Sequence, residues 1–124
     1  TLIHPGILQA LAAAGHSSKV LIADGNYPAS TRLGPKARLV SLNLSPGVVT
    51  CTQALEALAT AVPIEAAAVM QYASSGPYAL HSDPPVWSEF RRVLGHVALT
   101  PIERFAFYDA AGGPDVCLTI QTAD

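Results

Sequence analysis

Three residues pair a reactive side chain with a placement that suits chemistry: His16, Asp24 and Arg104. His16 follows Gly15 in the connection leading into the apolar run Val20-Leu21-Ile22-Ala23, and Asp24 closes that run. An imidazole titrates near neutral pH, so it can give and take a proton in turn. Ligands of open α/β sheets gather beyond the carboxyl ends of the strands, the position Asp24 occupies if the run is a strand. Each residue also has a plain structural reading: His16 as a solvated turn residue, Asp24 as an acceptor for the backbone of the turn it begins. Arg104 stands in Glu103-Arg104-Phe105-Ala106-Phe107-Tyr108, an aromatic stretch in a chain that is 6% aromatic. Its planar fork of donors can hold two oxygens of a polyhydroxylated ligand. The alternative is an arginine on the wet face of a helix whose phenylalanines fill the core.

The remaining candidates point to less. His4, His81 and His96 show no metal-ligand spacing with His16 or with one another, so no metal site is expected. Cys51 and Cys117 form neither a disulfide framework nor a metal knuckle, and both read as small buried hydrophobes. There is no phosphate loop, no dinucleotide fingerprint and no Gly-x-Ser-x-Gly elbow, which removes support for nucleotide chemistry and serine hydrolysis.

The elements that must position these residues alternate along the chain. Pro5 opens an amphipathic helix through Ile7, Leu8 and Leu11 that Gly15 stops. Lys19 to Ala23 reads as a buried parallel strand ending at the turn Gly25-Asn26-Tyr27-Pro28. Ala37 to Leu42 is a second strand, after which Ser45-Pro46 is expected to cap and open a helix carrying Leu55, Leu58 and Val62 to the vicinity of Pro63. Ala66 to Tyr72 gives a third strand, followed by a Ser/Gly/Pro loop through residue 77 that suits the rim of a site. Asp83-Pro84-Pro85 is expected to open one helix and Thr100-Pro101 the next, running from Ile102 to about Ala111 before Gly112-Gly113-Pro114 breaks it. Val116 to Ile120 is the last strand. The expected class is therefore α/β, a single domain over residues 1–124 with a mainly parallel sheet flanked by helices.

Composition bounds the partners. The chain is 50% hydrophobic and 13% charged, more apolar surface than a lone domain of 124 residues readily hides, which suggests self-association. Its net charge of -2 is spread without a basic stripe, so nucleic acid is not an expected partner. No apolar run approaches the ~20 residues needed to span a bilayer, and the start does not read as a secretory leader; the expectation is a soluble, cytoplasmic protein.

Leu2-Ile3-His4-Pro5, the Gly15-His16 pair, and Val20 to Asp24 at its eight-residue step from His16 together form a recognisable pattern. With Asn26-Tyr27-Pro28-Ala29 and Leu33-Gly34-Pro35 they resemble the ribose pyranase and fucose mutarotase family, and Arg104-Phe105-Ala106-Phe107-Tyr108 resembles its fucose mutarotase branch. The likeness covers nearly the whole chain in order. It implies a ribose pyranase-like fold and a cofactor-independent sugar isomerase, with L-fucose or a similar hexose as substrate and ribose pyranase activity as the near alternative. It further implies His16 as proton donor, Asp24 and Arg104 as ligands of sugar hydroxyls, and a homo-oligomer, typically a decamer. Members of that family continue past the last strand to a Tyr-x-Asn segment that helps line the sugar site, whereas this sequence stops at Thr122-Ala123-Asp124; either that tail is left out of the sequence, which is the favoured reading, or part of the pocket has been lost. A non-catalytic sugar-binding or transport-associated protein would use Asp24 and Arg104 equally well, without proton transfer.

Overall fold

Runs of apolar residues become strands where helices cover a sheet, as the first and last runs do here, whereas the shorter second run keeps only Val40 buried. The computed structural model describes residues 1–15, 17–77 and 79–124. Its elements are α1 (Pro5–Ala13), β1 (Lys19–Ala23), β2 (Arg38–Ser41), α2 (Cys51–Ala61), β3 (Ala67–Met70), α3 (Pro85–Leu94), β4 (Leu99–Ile102), α4 (Arg104–Ala111) and β5 (Val116–Gln121). They form a three-stranded sheet in the order β1-β5-β2 and a two-stranded sheet of β3 and β4, every pairing parallel. The α/β class with parallel strands between helices is as expected.

The last strand lies at the centre of the larger sheet and is its most deeply buried element, with Val116, Leu118, Thr119 and Ile120 all within 2% of full burial. Side chains alternate across a strand, so β1 serves two cores at once. Val20 and Ile22 pack with Ile7 of α1, Ala54 and Leu58 of α2, Val40, Leu118 and Ile120. Leu21 and Ala23 point the other way, to Ala111 and Phe107 of α4 together with Val116, Tyr27 and Ala37. The segment after β1 therefore folds over the same face as α4.

Two element boundaries differ from the sequence reading. Ser45 does not cap a helix; it forms a bridge with Val48, and α2 begins at Cys51. Thr50 is the cap, its hydroxyl accepting from Gln53 N while its own N–H donates to the Gln53 side chain, a reciprocal arrangement that satisfies two otherwise orphan donors. Thr100-Pro101 does not open a helix but lies inside β4, where Pro101 is tolerated because a two-stranded sheet leaves each strand one free edge. The helix starts at Arg104, with the Glu103 carboxylate accepting from Ala106 N at 3.0 Å. α3 opens at Pro85 as expected, and Asp83 before it accepts from Tyr72 Oη at 2.9 Å and Arg91 Nη2 at 3.2 Å.

Candidate functional site

Asp24 lies one residue beyond the carboxyl end of β1. Its Oδ1 accepts from the N–H groups of Asn26 and Tyr27 at 3.0 and 2.9 Å, so the carboxylate shapes the turn that follows. Among the described residues Oδ2 accepts no hydrogen bond, and Asp24 is exposed. Both readings of this residue are thus compatible: one oxygen builds the turn and the other has no partner among the described residues.

The neighbouring strand ends complete this edge. Gln121 donates its side-chain N–H to Asp24 O, Thr122 donates through Oγ1 to Ala23 O at 2.7 Å, and Gly25 N donates to Asp124 O at 3.1 Å. Cys51, the first residue of α2, donates its N–H to Asp124 Oδ2 at 2.8 Å and places Sγ 3.3 Å from Thr122 Oγ1. Burial, with smaller contributions from the Asp124 and Asp24 carboxylates, pushes the Cys51 thiol up to about 11. Cys51 is therefore a half-buried, hydrogen-bonded neutral thiol rather than the simple hydrophobe its sequence context suggests.

Arg104 occupies the corresponding edge of the other sheet, just past the carboxyl end of β4. It lines an open cleft of about 440 Å³ with Tyr72, Ser74, Ser75, Pro101 and Glu103, a volume within the usual range of small-molecule sites. The Ser-rich loop, which the sequence suits to the rim of a site, lines this cleft through Ser74 and Ser75. Backbone N–H groups of Phe105 and Ala106 hold the Glu103 carboxyl below its ordinary range, so it stays charged beside Arg104. Tyr72 is held by Asp83, and its ring meets that of buried Trp87 at 5.4 Å, which anchors the loop to α3.

Tyr108 connects the two edges. Arg104 lies 5.8 Å from its ring centroid, Tyr27 stacks at 5.8 Å in a tilted arrangement, and Arg32 covers it at 4.7 Å. Asp24 and Arg104 form no ion pair; what relates them is the path from the Asp24 turn through Tyr27 to Tyr108 and back one helical turn. His16, the expected acid/base, lies outside the described residues. A second cleft of about 480 Å³ runs along α2 past Thr1, Val48 and Thr60, but its one charged residue, Glu56, pairs with Arg92 at 3.6 Å. Asp24, Arg104 and the Tyr27-Tyr108 pair bring together more groups able to hold a polar ligand. Among the described residues no three His, Cys, Asp or Glu side chains gather as a metal site.

Sequence reading passed over the contributions of Tyr72, Gln121 and Thr122. The first sits after an ordinary short strand, and the others matter only because β5 threads between β1 and β2, an order that linear sequence does not display.

Comparison with known proteins agrees with the resemblance. The RbsD / FucU transport protein family matches residues 1–124. Human fucose mutarotase is 33% identical over 121 residues, covering 89% of this chain and 74% of that protein. FucU from Bifidobacterium longum superposes with a TM-score of 0.77 at 27% identity, over 98% of this chain and 85% of that one. The fucose mutarotase of Streptococcus pneumoniae in complex with L-fucose gives a TM-score of 0.76 at 20% identity, over 98% and 84% of the two chains, and shows the shared fold.

Proposed function

Because the chain belongs to the RbsD / FucU transport protein family, we propose that it is a cofactor-independent mutarotase that interconverts the anomers of a free monosaccharide, L-fucose or a similar hexose. The likeness to fucose mutarotase over nearly the whole chain carries this reading. Asp24 at the turn whose Tyr27 meets Tyr108, and Arg104 at 5.8 Å from the Tyr108 ring, support it, because a sugar presents hydroxyls at its rim and C–H groups on its faces.

Exchange of anomers requires the bond between C1 and the ring oxygen to break. A proton reaches the ring oxygen, the proton of the anomeric hydroxyl leaves, and an open-chain aldehyde results. Rotation about C1–C2 presents the other carbonyl face, and the reverse proton transfers close the ring. No electron is transferred and no group leaves, so one residue that donates and accepts in turn suffices. His16 takes this role in our reading; a positioned acid/base contributes about 10² to 10⁴ in rate. Oδ2 of Asp24, which accepts no hydrogen bond from the described residues, accepts from one sugar hydroxyl in this reading, and the Arg104 guanidinium donates to one or two others. Holding the ring in this way fixes the reacting oxygen relative to the imidazole.

The protein acts as a homo-oligomer in this reading, a cytoplasmic decamer. Ile3, Leu44 and Phe105 are 81%, 82% and 68% exposed, which suits contacts between copies. The experiment is saturation-transfer NMR on α and β sugar anomers: the wild type accelerates exchange, and His16→Ala, folded and still binding sugar, does not. An unchanged rate in that variant removes His16 from the mechanism. Binding by the wild type without any acceleration favours a transport-associated binding protein.

A further inference from the structure

We propose that the site also takes monosaccharides bearing an anionic substituent, a carboxylate or a phosphate, and that Arg32 is the residue that discriminates them from neutral sugars; this rests on the mutarotase reading above. Arg32 and Arg104 both lie within 6 Å of the Tyr108 ring centre, at 4.7 and 5.8 Å. Among the described residues no carboxylate pairs with either, whereas Arg91 is paired with Asp83 and Arg92 with Glu56, and Arg38 is hydrogen-bonded to Gln9. Glu103, next to Arg104, directs its carboxylate to the backbone of α4 instead. Among the described residues neither guanidinium lies in a salt bridge, the Glu103 carboxylate acting on Arg104 only at longer range, and both lie over the Tyr108 ring, where an anion reaching the two of them gains charge-assisted hydrogen bonds.

Arg32 is held there by the fold. Its N–H donates to Pro28 O at 2.9 Å, and two residues on, Gly34 approaches the end of α4 so closely that a Cβ would come within 2.7 Å of Gly113 O. The loop is thereby docked on the helix that carries Arg104 and Tyr108. Beneath them the hydroxyl of Tyr27 is buried with no described partner, a further polar group on the same wall. A neutral sugar is held by Asp24 and Arg104 without Arg32. A planar carboxylate or a phosphate can engage both forks.

The test compares anomer exchange of D-galactose, D-galacturonate and D-galactose 6-phosphate, which differ only at C6, with L-fucose as the neutral reference. In the wild type at least one acidic sugar is exchanged with a kcat/KM about tenfold above that of D-galactose, and which one it is identifies carboxylate or phosphate. Arg32→Gln abolishes that advantage and leaves L-fucose exchange unchanged. The proposal is overturned if neither acidic sugar outpaces D-galactose, or if Arg32→Gln slows L-fucose and the acidic sugar in parallel, the mark of a scaffold residue. Neutral exchange without acidic preference removes this inference alone, whereas no exchange of any sugar removes the mutarotase reading with it.

Discussion

Asp24 divides its two oxygens between structure and solvent, and that division predicts how substitutions behave. Oδ1 accepts two backbone N–H groups, so Asp24→Asn keeps an acceptor for the turn while removing the charge that the proposed sugar contact uses; Asp24→Ala removes both. A hydrogen bond to a charged group contributes about 1.5 to 3 kcal/mol, so Asp24→Asn lowers kcat/KM for the sugar by roughly ten- to hundredfold with little change in melting temperature. Asp24→Ala lowers both, and thermal melts beside exchange rates separate the two variants. Cys51 gives a second check at this scale. Its pKa is raised from the ordinary 9.0 to about 11, so the neutral thiol is favoured by folding: that contribution is complete below pH 9, and is lost as pH climbs through 11. Alkylation of Cys51, followed by mass spectrometry, therefore stays slow at pH 8 and rises with a midpoint near 11; a midpoint near 9 contradicts the burial of the thiol, which outweighs the lowering effect of its hydrogen bond with Thr122. Asp24 and Arg104 were legible as candidates because polar residues at the ends of apolar runs stand out. The Cys51-Thr122 contact was not, since it joins residues 71 positions apart.

Elements were legible where the pattern was long or strongly apolar. β1 and β5 are mostly apolar runs, Leu39-Val40 marks the shorter β2, and α3 carries Trp87 and Leu94 at helical spacing. β4 was hidden because four residues containing a proline have no period to read, and Thr-Pro ordinarily signals a helix start. Thr50 was overlooked as a cap for the same kind of reason: Ser45-Pro46 offers the stronger local signal, but its backbone is committed to the bridge with Val48. Thr50→Ala accordingly destabilises the protein by about 1 kcal/mol in urea unfolding, and Ser45→Ala by much less. Gly34→Ala tests the docking of the loop on α4. With a Cβ at 2.7 Å from Gly113 O the loop must move, at a cost of about 1 to 3 kcal/mol, and the cation on Tyr108 shifts with it.

At the scale of the molecule, one central strand joins both cores, and the edges of two parallel sheets meet across a tyrosine pair. Truncating the centre should be felt throughout: Leu118→Ala costs about 2 to 5 kcal/mol, measurable by urea unfolding through Trp87 fluorescence. The parallel α/β class followed from the alternation of elements, but the split into two sheets did not, because strand order depends on which helix covers which face. That split sets Asp24 and Arg104 on separate edges and makes the Tyr27-Tyr108 wall the surface against which a sugar ring rests in our reading. The most direct test of the mutarotase reading is the rate at which saturation passes between the two anomers of L-fucose in the presence of the protein. Exchange well above the buffer rate, proportional to protein concentration, is the predicted result; exchange at the buffer rate, with the protein folded and its concentration raised, contradicts it.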